Sequence, residues 1–235
     1  MTTAIIIPVL NDAHALRRLL GTIRAWSVQP AEIVVAAGGE DDEIAGLSRA
    51  HRCRHVVSQP CRGKQLDDGA RAASAEVLWF VHADALPSRT SLADIGAACG
   101  SGTEAGFFRF EFMGPRSWHK TVIESLVALR TRCGGMPYGD QGLWVSREAY
   151  MDCGGFSHEP LFEEVRLMKR LRARGRVRAL HTAIGVAPRR WERDGWWYRS
   201  IVNRLLALGH TFGIPPARLA SRYYTLPQLR RNPDA

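Results

Sequence analysis

The sequence predicts an α/β fold with a mostly parallel sheet flanked by helices, and three observations carry that prediction. Short β-branched runs alternate with stretches whose apolar residues fall at helical spacing through about residues 1–100, the mark of βαβ units. Polar residues gather immediately after the strand runs, where an open parallel sheet binds ligands beyond its carboxyl ends. Beyond about residue 101 the runs lengthen and Gly-rich loops separate them, so a second half of different character follows.

Taken in order, Ile5 to Leu10, Glu32 to Ala37, His55 to Ser58 and Glu76 to His82 read as strands. Between them Ala13 to Trp26, Asp42 to Ala50 and Gln65 to Ser74 read as helices, with Leu16, Leu19, Leu20 and Ile23 on one face. Ala105 to Met113 reads as a longer strand, Trp118 to Arg130 as a helix and Gly142 to Ser146 as a short strand. Helices follow at Leu161 to Arg174 and Trp196 to Phe212, the second introduced by a basic and aromatic run from Arg189 to Trp197. The expected organisation is one domain over 1–235. A nucleotide-type half spans about 1–100, an acceptor-side half about 101–190, and a C-terminal helical segment about 191–235.

With 46% hydrophobic and 23% charged residues the chain is of ordinary globular composition, which excludes disorder; the 22 Gly show no collagen period. A chain this long should bury roughly 70–75% of its unfolded surface. The apolar run at the N-terminus is too short for a signal segment, so a cytoplasmic location is expected. Five widely spaced cysteines without a CxxC favour reduced, partly buried thiols over zinc or a disulfide scaffold. The formal charge of +9 suits nucleic acid, an anionic membrane surface or a phosphorylated ligand.

The candidate residues sit at strand ends and helix starts. Asp84 follows the apolar run Val77-Leu78-Trp79-Phe80-Val81, where a lone carboxylate suits Mg²⁺ or Mn²⁺ completed by phosphate and water; a helix N-cap is the competing reading. Gly38-Gly39-Glu40-Asp41-Asp42 offers a backbone that approaches a ligand closely beside acids that accept from a nucleoside, or simply a solvated helix start. Arg62-Gly63-Lys64-Gln65 at a helix start suits a diphosphate, or is an exposed basic loop. Glu163-Glu164 opens a helix, where acids favour the dipole or one serves as general base. His181 is a candidate third metal ligand against a plain surface role. The Trp196 helix lacks the about 20 apolar residues a span needs. Packing onto the domain is the leading expectation for it, with an interfacial amphipathic helix or a dimer contact as alternatives.

Together these stations resemble the nucleotide-sugar-dependent glycosyltransferases of family 2, across nearly the whole chain. The resemblance rests on Ile6-Ile7-Pro8-Val9-Leu10-Asn11-Asp12, on Glu32-Ile33-Val34-Val35 with Gly38-Gly39 and Asp42, and on Phe80-Val81-His82-Ala83-Asp84-Ala85-Leu86-Pro87. It continues through Tyr138-Gly139-Asp140-Gln141-Gly142, Gly154-Gly155-Phe156, Leu161-Phe162-Glu163-Glu164-Val165 and the Arg189 to Trp197 run. A His-Ala-Asp triplet in place of the usual Asp-x-Asp is similar to a bacterial subgroup labelled radical-SAM or selenodomain-associated transferases.

The resemblance implies a Rossmann-like GT-A fold with a C-terminal acceptor-side helical region, and an inverting transfer from a nucleotide-diphosphate sugar. It makes Asp84 the metal ligand and Glu164 the base. It implies donor contacts at Pro8, Val9, Asn11, Asp12, Gly38, Gly39, Asp42, Arg62, Lys64, Gln65, His82 and Ala83. On the acceptor side it implies Tyr138, Gly139, Asp140, Gln141, Glu163, Arg190 and Trp191. Three departures stand out: Ala37 where an Asp usually reads the base, Glu40 and Asp67 at stations usually Ser and Asn, and Glu164 where Asp is usual. Mg²⁺ or Mn²⁺ is the expected cofactor, nucleic acid is not an expected partner, and a weak contact with the inner membrane face and a homodimer stay open. The rivals are a nucleotidyltransferase, which would want a Gly-rich basic loop after the first strand, and a degenerate basic binding module.

Overall fold

The computed structural model describes residues 1–175 and 177–225. Its first half consists of β1 (Thr3–Val9), α1 (Ala13–Arg24), β2 (Glu32–Gly38), α2 (Asp42–Ala50), β3 (Arg54–Ser58), α3 (Arg62–Ala72) and β4 (Val77–Phe80). Then come β5 (Leu86–Pro87), α4 (Ser91–Gly100), β6 (Ala105–Phe112), α5 (Trp118–Arg132), a 3₁₀ turn at Gly139–Gln141, β7 (Trp144–Ser146) and α6 (Arg147–Asp152). The remainder is α7 (Glu164–Arg174), β8 (Val177–Val186), α8 (Arg189–Asp194), α9 (Trp196–Thr211) and α10 (Pro216–Thr225).

All eight strands form one sheet in the order β3-β2-β1-β4-β7-β6-β8-β5. The four strands of the nucleotide-type half run parallel, as the alternation predicts. β7 lies antiparallel between β4 and β6 and so joins the two halves into one surface.

Because side chains alternate along a strand, β1 feeds two separate cores. Ile5, Ile7 and Val9 pack with Leu16, Leu19 and Leu20 of α1 and Ile95 of α4. Ala4 and Ile6 pack on the other face, with Leu66 of α3, Tyr150 of α6 and Leu167 of α7. Gln65 binds α3 to the sheet: its Nε2 donates to the carbonyls of Val9 and Ala36, at 2.8 Å each.

Several elements escape the sequence pattern. The Ala-rich α4, the one-and-a-half-turn α6 and α8, the two-residue β5 and the half-exposed β8 carry too little periodicity to be read, and the amphipathic α10 is not among the elements read from the sequence. Two expectations need correction. The helix expected from Leu161 starts at Glu164, because Phe162 takes a left-handed φ of 62° that a helix cannot continue through.

The Trp196 helix does not bury its apolar stripe in the domain. Leu206 packs inward against Leu161, Phe162 and Val165, and Trp196 against Phe112, while Trp197, Ile201, Leu205, Leu208 and Phe212 face outward. Among the described residues no helix is long and apolar enough to cross a membrane. All five cysteines are free: Cys99 and Cys153 are buried, Cys53 and Cys61 half-buried, and Cys133 is exposed.

Candidate active site

The carboxyl ends of β1 and β4, the 3₁₀ turn, the turn before α7, and helices α5, α8 and α9 surround one cavity of about 740 Å³. Of the residues singled out from the sequence, Asp12, Arg62, His82, Asp84, Tyr138, Gly139, Asp140, Glu164, Arg190 and Trp191 line it.

Asp84 sits in the turn after β4. No helix begins there, since α4 starts only at Ser91, so the N-cap alternative falls. Its carboxylate instead lies 3.3 Å from Nη2 of Arg189, which is also 3.5 Å from Oδ2 of Asp12. Asp12 has two roles, because its Oδ1 caps α1 by accepting from the Ala15 N–H at 3.0 Å. Two carboxylates converging on one guanidinium show that this point of the cavity accommodates a cation. Among the described residues no cluster of three or more His, Cys, Asp or Glu side chains could enclose a metal. Two carboxylates do fit Mg²⁺ or Mn²⁺, which usually keep positions for water and substrate phosphate.

On the opposite wall the turn before α7 presents two adjacent acids. Glu163 turns inward, and both its oxygens accept from Arg62, the Nη2 contact being 2.9 Å. Burial raises the proton affinity of Glu163, but the Arg62 charge and hydrogen bonds outweigh it and hold the carboxyl below its ordinary range. The approach that allows this pairing depends on Gly63: a Cβ there would lie 2.0 Å from the Ser157 carbonyl and 2.9 Å from the Glu163 Cβ.

Glu164, 3% exposed, has no such partner, and its Oε2 is buried without a hydrogen bond. Burial first, and then the neighbouring Glu163 charge, push its pKa up to about 8. Asp140 also turns a buried, unpartnered Oδ1 toward this region, and burial raises its pKa. Burial likewise lowers His82 to about 4, with the Arg62 charge adding to the effect. Its Nε2 lies 3.1 Å from where a Cβ on Gly139 would be. Arg130, above the Tyr138 ring at 4.7 Å, donates to Oε1 of Gln141 at 3.2 Å.

The basic and aromatic run places cations over the opening. Trp191 and Trp196 pack edge-on against Phe112 at 4.9 and 5.3 Å, which fixes α8 across the end of β6. Arg189 and Arg190 thereby border the cavity, Arg190 lying over the Tyr223 ring and donating to its hydroxyl.

Other residues from the sequence reading lie outside the cavity. Pro8 and Val9 are buried in β1, Ala83 is buried behind Asp84, and Asn11 is exposed with φ 52°. Gly38 packs on Leu10 and Gln65, and Gly39 takes φ 113°. Asp42 lies exposed in the first turn of α2, whose cap is Asp41, accepting from the Ile44 N–H at 3.0 Å. Lys64 pairs with Asp68, Gln65 spans β1 and β2, and Gln141 donates to the Phe108 carbonyl at 3.2 Å. Glu163 lies behind the wall, holding Arg62. Asp67 serves a structural network, accepting from the Tyr150 hydroxyl and Arg71 and meeting His158 at 3.0 Å. His181 is exposed on β8 and lines no part of the cavity. Sequence reasoning missed Arg130 of α5 and Asn203 and Arg204 of α9 as lining residues, since polar residues within a long helix carry no motif.

The family model for glycosyl transferase family 2 matches residues 4–152. No curated protein matches the chain. Among solved structures, glucosyl-3-phosphoglycerate synthase from Mycobacterium tuberculosis, in complex with Mn²⁺, UDP and glucosyl-3-phosphoglycerate, superposes with a TM-score of 0.58. It is 19% identical, over 79% of this chain and 70% of that one. S. aureus TarS 1–349, in complex with UDP-GlcNAc, superposes with a TM-score of 0.59 at 16% identity, over 80% of this chain and 58% of that one. These likenesses establish the shared GT-A fold.

Proposed function

The chain belongs to glycosyl transferase family 2, and from that premise we propose that it moves a sugar from a nucleoside-diphosphate sugar to an acceptor hydroxyl, with inversion at the anomeric carbon. The observation that carries this reading is that one cavity is lined by both Asp84 and Glu164, the second with a buried, unpartnered oxygen.

In this reading the acceptor oxygen attacks C1 of the sugar while Glu164 takes the hydroxyl proton. The bond from C1 to the diphosphate oxygen breaks and the diphosphate departs, so one displacement inverts the centre. A base with a pKa near 8 is poised close to neutral pH, where general-base catalysis is effective. Glu163 is not available for this task, because its lone pairs are taken by Arg62.

Asp84 and Asp12 would hold Mg²⁺ or Mn²⁺, and such an ion supplies neutralisation of charge on a departing diphosphate. Arg189 and Arg190 provide further positive charge at the same edge. Ala37, fully buried at the end of β2, offers no side-chain acceptor to a nucleobase, so base recognition falls to other groups. The match to UDP-bearing neighbours in fold supports a nucleotide-sugar donor in general.

The experiment is calorimetric titration with UDP, GDP, CDP, ADP and dTDP, each with and without Mn²⁺. Metal-dependent binding of one diphosphate is the expected result. Binding of none would overturn the transferase reading in favour of a degenerate binding module.

A further inference from the structure

The cavity has an unusual outer wall. α5 exposes Trp118, Val122, Leu126 and Leu129, and α9 exposes Trp197, Ile201, Leu205, Leu208 and Phe212. Both sets recur at intervals of three and four residues, so each forms one stripe along its helix. The stripes belong to a single surface: the Trp118 and Trp197 rings lie 5.4 Å apart, and Leu126, Ile201 and Leu205 all line the cavity. Exposure is high for side chains of this kind, 61% for Leu205 and 83% for Phe212. Contiguous apolar surface of this sort marks an interaction site.

The charge around it selects the partner. Arg190 and Arg204 line the same cavity, Arg193 beside them is paired with Asp194, and α9 contains no acidic residue. Arg204 is exposed and makes no ion pair among the described residues. A twofold pairing of two copies through this face would bring these cations against their own images, which is unfavourable. An anionic bilayer surface satisfies both features, since it takes apolar side chains into the acyl boundary and cations at its headgroups. Tryptophans at the edge of the stripes suit that interface.

We propose that the α5 and α9 face docks onto an anionic lipid bilayer, so that the acceptor hydroxyl reaching Glu164 belongs to a bilayer-resident molecule whose apolar tail lies along Leu126, Ile201 and Leu205. This inference rests on the transferase reading and adds the class of its acceptor.

The test is flotation of the full chain with vesicles of phosphatidylcholine containing about one quarter phosphatidylglycerol, at low and high salt, beside vesicles of phosphatidylcholine alone. The L129Q/L208Q double variant alters two exposed residues that do not line the cavity. Wild-type protein should float with the anionic vesicles, less so at high salt. The variant should partition roughly tenfold or more weakly, while its Mn²⁺-dependent diphosphate binding stays unchanged. Absence of flotation by wild type, or equal flotation by the variant, would overturn the docking face even where diphosphate binding is intact. A concentration-dependent dimer in light scattering that the variant dissociates would assign the face to a second copy instead. Failure of wild type to bind any diphosphate would overturn the transferase reading, and the acceptor class with it.

Discussion

Glu163 and Glu164 are adjacent and both buried, yet they carry opposite protonation tendencies. Glu163 is held ionised by Arg62, while Glu164 has an unpartnered Oε2 and a pKa pushed up to about 8. The left-handed Phe162 before them turns one carboxylate into the protein and leaves the other on the cavity wall.

Replacing Glu164 by Gln should therefore lower kcat by about 10²–10⁴-fold with little change in donor affinity. Replacing Glu163 by Gln should act differently. It leaves Arg62 with a weaker partner and should cost about 1–3 kcal/mol of stability, discounted because Arg62 is partly exposed. Chemical denaturation alongside steady-state kinetics separates the two, and an E164Q enzyme of undiminished kcat would remove Glu164 from the base role.

The pH dependence follows from the same asymmetry. A base that must be ionised should give a kcat/KM that rises with pH and levels off above about 8. For stability the sign is opposite. The folded pKa of Glu164 lies above its ordinary 4.5, so its contribution is fully present below that value and is lost as pH rises through about 8. Between those limits E164Q should lose less stability with rising pH than wild type, as urea titrations at several pH values would reveal.

At the cation point, Asp84→Asn should abolish the Mn²⁺ dependence of diphosphate binding and reduce turnover roughly 10³-fold, reflecting several kcal/mol of charge stabilisation. Arg189 would then keep the Asp12 carboxylate as a charged partner. Calorimetry with UDP and Mn²⁺ measures this directly, and unchanged metal dependence would displace the site from Asp84.

Gly63→Ala tests how the wall is assembled. Its new Cβ meets a backbone carbonyl that cannot swing aside, so α3 and the turn carrying Glu163 must separate. The expected loss is about 1–3 kcal/mol, with a fall in activity as the Arg62 pairing loosens. A variant with wild-type melting and full turnover would show that the close approach is not required.

Much of this protein was legible in its sequence, for physical reasons that act locally. Periodicities of two and 3.6 placed the four parallel strands and three crossover helices, and the polar strand ends pointed to Asp12 and Asp84, while Glu164 stood out as an acid opening a helix. What stayed hidden depends on contacts between distant residues. β8 is half-exposed, so its pattern fits strand or loop equally, and pairing with β6 is what makes it a strand. The partner of Glu163 lies 101 residues away, and nothing in the pattern around Arg62 announces it.

The sequence alone determined which side chains are apolar and at what spacing, and so specified that α9 is amphipathic. Only the tertiary structure decided which way its stripe faces. Leu206 and Trp196 take the inward packing positions, and the outward stripe borders the same cavity as Asp84 and Glu164. Amphipathicity is a property of one helix; burial depends on what the rest of the fold brings against it.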